Sequence, residues 1–179
     1  MRYLLIVLLL ISASANAQQH CGYDFSSYVV LHIHEDGKPA NIPNLKVTLV
    51  DSLGNDIINT NNQYSWNNSD KVMQFYENYR IDANGKKLEV IPEGEKPRWF
   101  FPFAKDAYLL SVTNEFPADA MKVKIEETVP DNQKQFETKV IQLYAYNMYV
   151  LCTTQVQQQA QQFGPRVNKP VNVVLERKK

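Results

Sequence analysis

Apolar side chains recur at every second residue in four separate segments of this chain. In "SSYVVLHIHED", Val29, Leu31 and Ile33 fall on one side, while Tyr28, Val30, His32 and His34 fall on the other. Leu45, Val47 and Leu49 alternate with Lys46 and Thr48; Tyr108, Leu110 and Val112 alternate with Leu109, Ser111 and Thr113. Met121, Val123 and Ile125 alternate with Lys122, Lys124 and Glu126. A period of two marks a strand with one face turned to a core. Turn residues separate these runs, at Glu35-Asp36-Gly37-Lys38-Pro39 and at Asp51-Ser52-Leu53-Gly54-Asn55. Residues 136–153 read as one long or two consecutive strands, and Val171-Asn172-Val173-Val174-Leu175 closes the chain. Six or seven strands with turn-rich joins and little helix predict an all-β, antiparallel sandwich.

The start of the chain obeys different rules. Arg2 precedes a short apolar core, Tyr3 to Ile11, and Ala15-Asn16-Ala17 places small residues where a signal peptidase reads. The expectation is a cleaved export signal over residues 1–17 and a single domain over 18–179, with no transmembrane anchor after cleavage. The apolar run is shorter than the roughly 20 residues a spanning helix needs. Cleavage after Ala17 leaves 162 of the 179 residues, carrying 18 basic and 19 acidic side chains. That balance gives no pull towards nucleic acid, whose binding proteins carry a basic patch. The destination expected is the periplasm or the cell surface. An isolated cysteine pair in an exported protein, here Cys21 and Cys152, points to a disulfide worth roughly 4–5 kcal/mol in the chain-entropy picture. Two separate buried thiols are the alternative.

Two segments interrupt the strand rhythm. In "NSDKVMQFYENYR", Val72, Phe75, Tyr76 and Tyr79 have helical spacing and Ser69 or Asp70 stands where a cap would, which predicts one short helix inside an insertion at about 59–103. Met73 lies off that stripe. The glutamine-rich stretch before Pro165, residues 155–165, reads as an exposed loop or a short surface helix. The early stretch "YVVLHIHEDGKPANIPNLKVTLVDSLGNDI", with "FFPFAKDAYLLSVTNEF" later, resembles carboxypeptidase-regulatory-like, or transthyretin-like (prealbumin-like), β-sandwich modules. The resemblance covers about a third of the chain, and the insertion replaces the tight hairpin usual there. It implies an Ig-like or transthyretin-like sandwich, a non-catalytic accessory fold of exported proteins of the Bacteroidota type, and carries over no site residues.

Three constellations could carry chemistry. His32 and His34 project from the same side of one strand, about 6–7 Å apart, a spacing that suits Zn²⁺ or Cu²⁺, with His20 as a third ligand. The opposing aliphatic face claims the core, so two solvated imidazoles are the expectation and metal binding the alternative. The aromatic knot "KPRWFFPF" is the second. Strand alternation sets Trp99, Phe101 and Phe103 on one side, beside Arg98, with Phe100 opposite; Tyr64 and Trp66 occupy an asparagine-rich loop nearby in sequence. Such rings pack a core or grip a protein or glycan partner. Tyr64, Trp66, Arg98, Trp99, Phe101 and Phe103 are the candidate contact residues. Third, Asp82-Ala83-Asn84-Gly85 opens like a calcium loop but lacks its later carboxylates, so a plain turn is expected.

Motifs for catalysis and cofactors are missing from the sequence: there is no G-x-S-x-G, H-E-x-x-H, phosphate loop or dinucleotide fingerprint. Paired carboxylates acting on a glycoside leave no sequence signature, so a carboxylate-based hydrolase stays as a second alternative. The expectation is an exported, non-enzymatic protein with a binding or structural role and no cofactor.

Overall fold

The computed structural model describes residues 26–178, apart from positions 68, 92, 95 and 152; for 153–156, 159 and 165 it describes backbone alone. The signal segment, His20 and the Cys21–Cys152 pairing therefore lie outside the described residues. In chain order the elements are β1 (Ser26–Glu35), β2 (Leu45–Val50), β3 (Tyr76–Glu77), β4 (Arg80–Ile81), β5 (Lys87–Leu88), β6 (Arg98–Trp99), β7 (Tyr108–Thr113), β8 (Lys122–Glu127), β9 (Lys139–Gln142), β10 (Met148–Tyr149), α1 (Thr153–Phe163) and β11 (Val171–Leu175).

Two sheets face each other, as the alternation requires. One runs β10-β1-β7-β3, with β11 also on β1; the other runs β2-β8-β9. All pairings are antiparallel except β1 with β11, which is parallel and departs from the purely antiparallel expectation. Val47 lies opposite Ile125 and Leu49 opposite Val123, and these join Val29, Leu31, Ile33, Tyr108, Leu110 and Val112 in one buried cluster. On the other faces of β2 and β8, Lys46 pairs with Glu126 at 3.2 Å and Lys124 with Asp56 at 3.6 Å, but Thr48 and Val50 on that side of β2 are buried as well. Tyr108 spans the core, and its hydroxyl accepts from Leu45 N and donates to Ile42 O, both at 2.9 Å. Burial, first, holds that phenol far above its ordinary range.

The helix expected over 69–79 does not form. Met73 and Phe75 are both buried while Gln74 between them is exposed, which is strand periodicity. Their main chain bonds outward: Met73 N donates to Ile57 O at 2.8 Å, Phe75 N donates to Val47 O at 2.9 Å, and Leu49 N donates to Met73 O at 2.9 Å. Asp70, placed to cap, adopts φ 56 instead. Met73, off the helical stripe, decides the outcome, because a helix would leave it in water. The segment leaves β2 at Gln74 and reaches β7 by pairing Tyr76 with Leu109, so it crosses between sheets. Phe136 bridges Arg177 before β9 joins β8, a second crossing on the far side. The glutamine-rich stretch forms α1, the surface-helix branch of the expectation; Gln157, Gln158, Gln161 and Gln162 are exposed.

That second crossing is locked by charge. Arg177 grips Glu35 with two bonds, Nε to Oε1 at 2.6 Å and Nη2 to Oε2 at 3.1 Å, and Lys38 Nζ adds a third at 2.7 Å. The Arg177 hydrogen bonds, then those of Lys38, hold the Glu35 carboxyl at about 2 against an ordinary 4.5. A carboxylate depressed by folding stabilises the native state above its unfolded value, and this contribution fades as pH falls through the native one. We therefore expect Glu35→Gln to lower the urea midpoint at neutral pH. The gap to the wild type should close between pH 4.5 and about 2. A pH-independent gap would contradict the assignment.

The insertion supplies a third layer. Val30 and Leu109 point away from the sandwich core, yet both are fully buried. They lie beneath Phe101, Ala104 and Ala107, which with Tyr149 form a second apolar cluster flanked by Tyr28, Tyr76 and Leu151. A small sheet, ordered β5-β4-β6, continues this layer. The segment expected to carry a short helix thus forms a sheet-bearing cover.

Candidate functional site

Asn78 fixes the aromatic knot to this cover. Its main-chain N–H donates to Ala107 O at 2.8 Å. Its side-chain Nδ2 donates to Phe101 O at 2.9 Å, Lys105 O at 3.3 Å and also Ala104 O, while Oδ1 accepts from Phe101 N and Tyr79 N, each at 3.1 Å. One amide thus satisfies the backbone of a loop that runs in neither helix nor strand. The loop turns at 101–104, so strand alternation fails there and the ring positions depart from it.

Phe101, 4% exposed, is the plug. It packs against Tyr28 at 4.7 Å and edge-on to Tyr149 at 5.6 Å. This corrects its place among the contact residues: a ring buried over Val30 and Leu109 cannot meet a partner. Phe103, expected on the same side, is 60% exposed; its ring meets Phe101 edge-on at 5.6 Å and lies tilted to Tyr149 at 6.3 Å. Phe100, set opposite by alternation, is 40% exposed and stacks on Tyr79 at 4.9 Å with 17° between planes. Trp99 is half-buried beneath the Arg80 guanidinium, 4.1 Å from its ring centre. Arg98 is exposed. Tyr76 lies behind the Tyr79–Phe100 pair, 6.3 and 6.4 Å from the two rings; burial first, then the Tyr28 and Tyr79 phenols, push its hydroxyl well above the ordinary range.

Tyr64 and Trp66 do not join this group. Asn59 holds their loop: its Nδ2 donates to Ser65 O at 2.6 Å, and its Oδ1 accepts from Tyr64 N at 2.7 Å. Tyr64 packs edge-on to Phe116 at 6.0 Å, and Thr113 N donates to Tyr64 O at the far end of β7 from Ala107. The two aromatic groups are thus separated by the length of β7, about 20 Å at strand rise. Trp66 remains 57% exposed. The sequence alone does not single out Tyr79 and Phe100: helical spacing draws in the first, and strand alternation sets the second on the opposite side.

His32 and His34 lie half-exposed on the outer face of β1, beyond the edge of the insertion. The rings stack at 5.1 Å, and Asn172 Oδ1 on β11 lies 3.3 Å from His32 Nδ1 and 2.9 Å from His34 Nε2. His34 Nδ1 donates to Glu35 O at 2.9 Å. Among the described residues no group of three His, Cys, Asp or Glu side chains converges. The Asp82 turn uses its own carboxylate: Oδ1 accepts from Asn84 N at 2.8 Å and Lys86 N at 2.9 Å. Two carboxylates, Glu137 and Glu176, line a depression of about 160 Å³, below the roughly 300 Å³ at which ligand pockets begin. A larger cleft of about 540 Å³ opens between residues 81–84 and Lys96-Pro97-Arg98, beside the Tyr79–Phe100 stack. Among the described residues no helix is long and apolar enough to cross a membrane. Compared with protein-family models, curated proteins and solved structures, the chain matches none.

Proposed function

We propose that this chain is an exported, non-catalytic β-sandwich protein of the periplasm or cell surface that binds a protein or glycan partner. Its contact surface is the aromatic terrace formed by Tyr79, Phe100 and Phe103 with Arg98; Trp99 faces the other way, under Arg80. The observation that carries the reading is that Phe100 and Phe103 stay open to solvent on a loop whose backbone Asn78 anchors at Phe101, Ala104 and Lys105. Rigid, exposed rings lose little entropy on binding. The apolar export segment supports the location, and the resemblance to transthyretin-like accessory modules supports a non-catalytic role. Purified mature protein should sediment with isolated envelope fragments. The Phe100→Ala/Phe103→Ala variant should lose at least tenfold in affinity while its stability stays within about 1 kcal/mol. Unchanged sedimentation would reject the terrace as the contact surface.

A second reading, metal binding at His32 and His34, is favoured by one observation: His32 Nδ1 and His34 Nε2 converge on a single point, now held by Asn172 Oδ1. Elemental analysis of untagged protein tests it. Stoichiometric zinc or copper that disappears in His32→Ala/His34→Ala would support this reading, and metal-free protein after incubation with either ion would end it.

A further inference from the structure

The small sheet sorts its side chains by face. Arg80 and Trp99 are paired partners and touch on one face. Ile81 pairs with both Lys87 and Arg98, so these three share the opposite face. Tyr79 and Phe100 lie there too, since Lys87 Nζ stands 5.7 Å from the Tyr79 ring and Phe100 stacks on Tyr79. This face therefore carries a flat aromatic pair and runs directly into the 540 Å³ cleft, whose rim holds Lys96 and Arg98. Neither cation has an ion-pair partner among the described residues, whereas Lys87 is paired with Glu89 at 3.0 Å. The one described carboxylate in the cleft, Asp82, is already engaged by its turn amides.

We propose that this cleft and its adjoining aromatic stack bind an acidic oligosaccharide, a chain of uronate sugars. The assignment rests on the binding role proposed above and names its ligand class. An apolar sugar face suits the exposed Phe100 ring. A uronate carboxylate suits the Arg98 fork and the Lys96 ammonium, which form charge-assisted bonds. The exposed Asn84 lies on the cleft lining, within reach of hydroxyls. The cleft volume falls within the range of small-molecule sites, roughly 300–1,000 Å³. A nucleic acid would need a continuous basic stripe, and Asp82 interrupts one here. An extended peptide would need a free strand edge, and β5 and β6 offer two residues each.

Calorimetric titration of the mature chain tests the proposal with three probes: an oligogalacturonate, a cello-oligosaccharide of equal length, and poly-glutamate. The oligogalacturonate should bind, and its affinity should fall as salt rises. Arg98→Ala and Phe100→Ala should each weaken it about tenfold or more. Arg98→Gln serves if the alanine variant folds poorly, with circular dichroism as the check. If the neutral sugar binds equally and Arg98→Ala changes nothing, the acidic assignment is overturned while the terrace stands. If the oligogalacturonate binds and Phe100→Ala leaves it intact, both the assignment and the terrace fail. Binding of poly-glutamate in preference to sugar, or of no probe, overturns the proposal.

Discussion

Phe101→Ala should destabilise the protein by about 3–5 kcal/mol, the range for deleting a buried phenyl ring, and lower its melting temperature by on the order of 10 °C. Phe103→Ala, two residues on, should stay within about 1 kcal/mol. The contrast follows from position alone. Phe101 fills the space between the insertion and the outer face of β1 and β7, against Val30, Leu109 and Tyr149. Phe103 is 60% exposed, with ring contacts to Phe101 and Tyr149. Chemical denaturation of both variants measures the difference. Equal, small losses would mean that the insertion is not packed on the sheet.

The second large effect belongs to Asn78→Ala. The truncation removes two acceptor bonds, to the amides of Tyr79 and Phe101, and the donor bonds to the carbonyls of residues 101, 104 and 105. Each partly buried group left without a partner costs about 1–3 kcal/mol, less where water can replace the amide. We expect about 2–4 kcal/mol, expressed first as local opening of residues 98–107 rather than global unfolding. Hydrogen exchange should therefore accelerate at Phe100, Phe101 and Ala104, while amides of β2 and β8 remain protected. Uniform acceleration over the whole chain would place Asn78 in the general fold and not at the root of the insertion.

These residues also mark where the sequence was and was not legible. The alternation in β1, β2, β7 and β8 correctly picks out the residues of the inner core, because each strand there has one face covered by the opposing sheet; only in β8 is the other face left partly open along its length, since Thr48, Val50 and Ser111 are buried too. It misreads Val30 and Leu109, which point outward yet are sealed by a layer contributed from more than sixty residues further along β1's chain order and from the approach to β7. No local pattern encodes a cover of that kind. Alternation also fails at 99–103, where Pro102 and the turn break the strand and reverse the fates of Phe101 and Phe103. The helical stripe at Val72, Phe75, Tyr76 and Tyr79 was a coincidence of spacing. Met73 and Phe75 are the residues that count, and their burial draws the segment into an extended crossing between sheets.

The candidate site was legible as a region and not as a set of residues. "KPRWFFPF" marks an aromatic concentration beside a cation; Arg98 and Phe103 are exposed there, whereas β6 turns Trp99 under Arg80 on the opposite face. Tyr79 joins Arg98 and Phe103 through β4 pairing with β6, and Trp66 departs because Thr113 N, donating to Tyr64 O, ties its loop to the far end of β7. Both depend on long-range pairing that composition cannot reveal.

The proposed contact surface exists only if the insertion is fastened to the sandwich by its buried ring, leaving its neighbours in the open. A double-mutant cycle between Phe101 and Tyr149, whose rings meet edge-on at 5.6 Å, measures that fastening directly. The packing described here predicts a coupling of about 0.5–1.5 kcal/mol between Phe101→Ala and Tyr149→Ala. Additivity of the two substitutions within about 0.3 kcal/mol would contradict it.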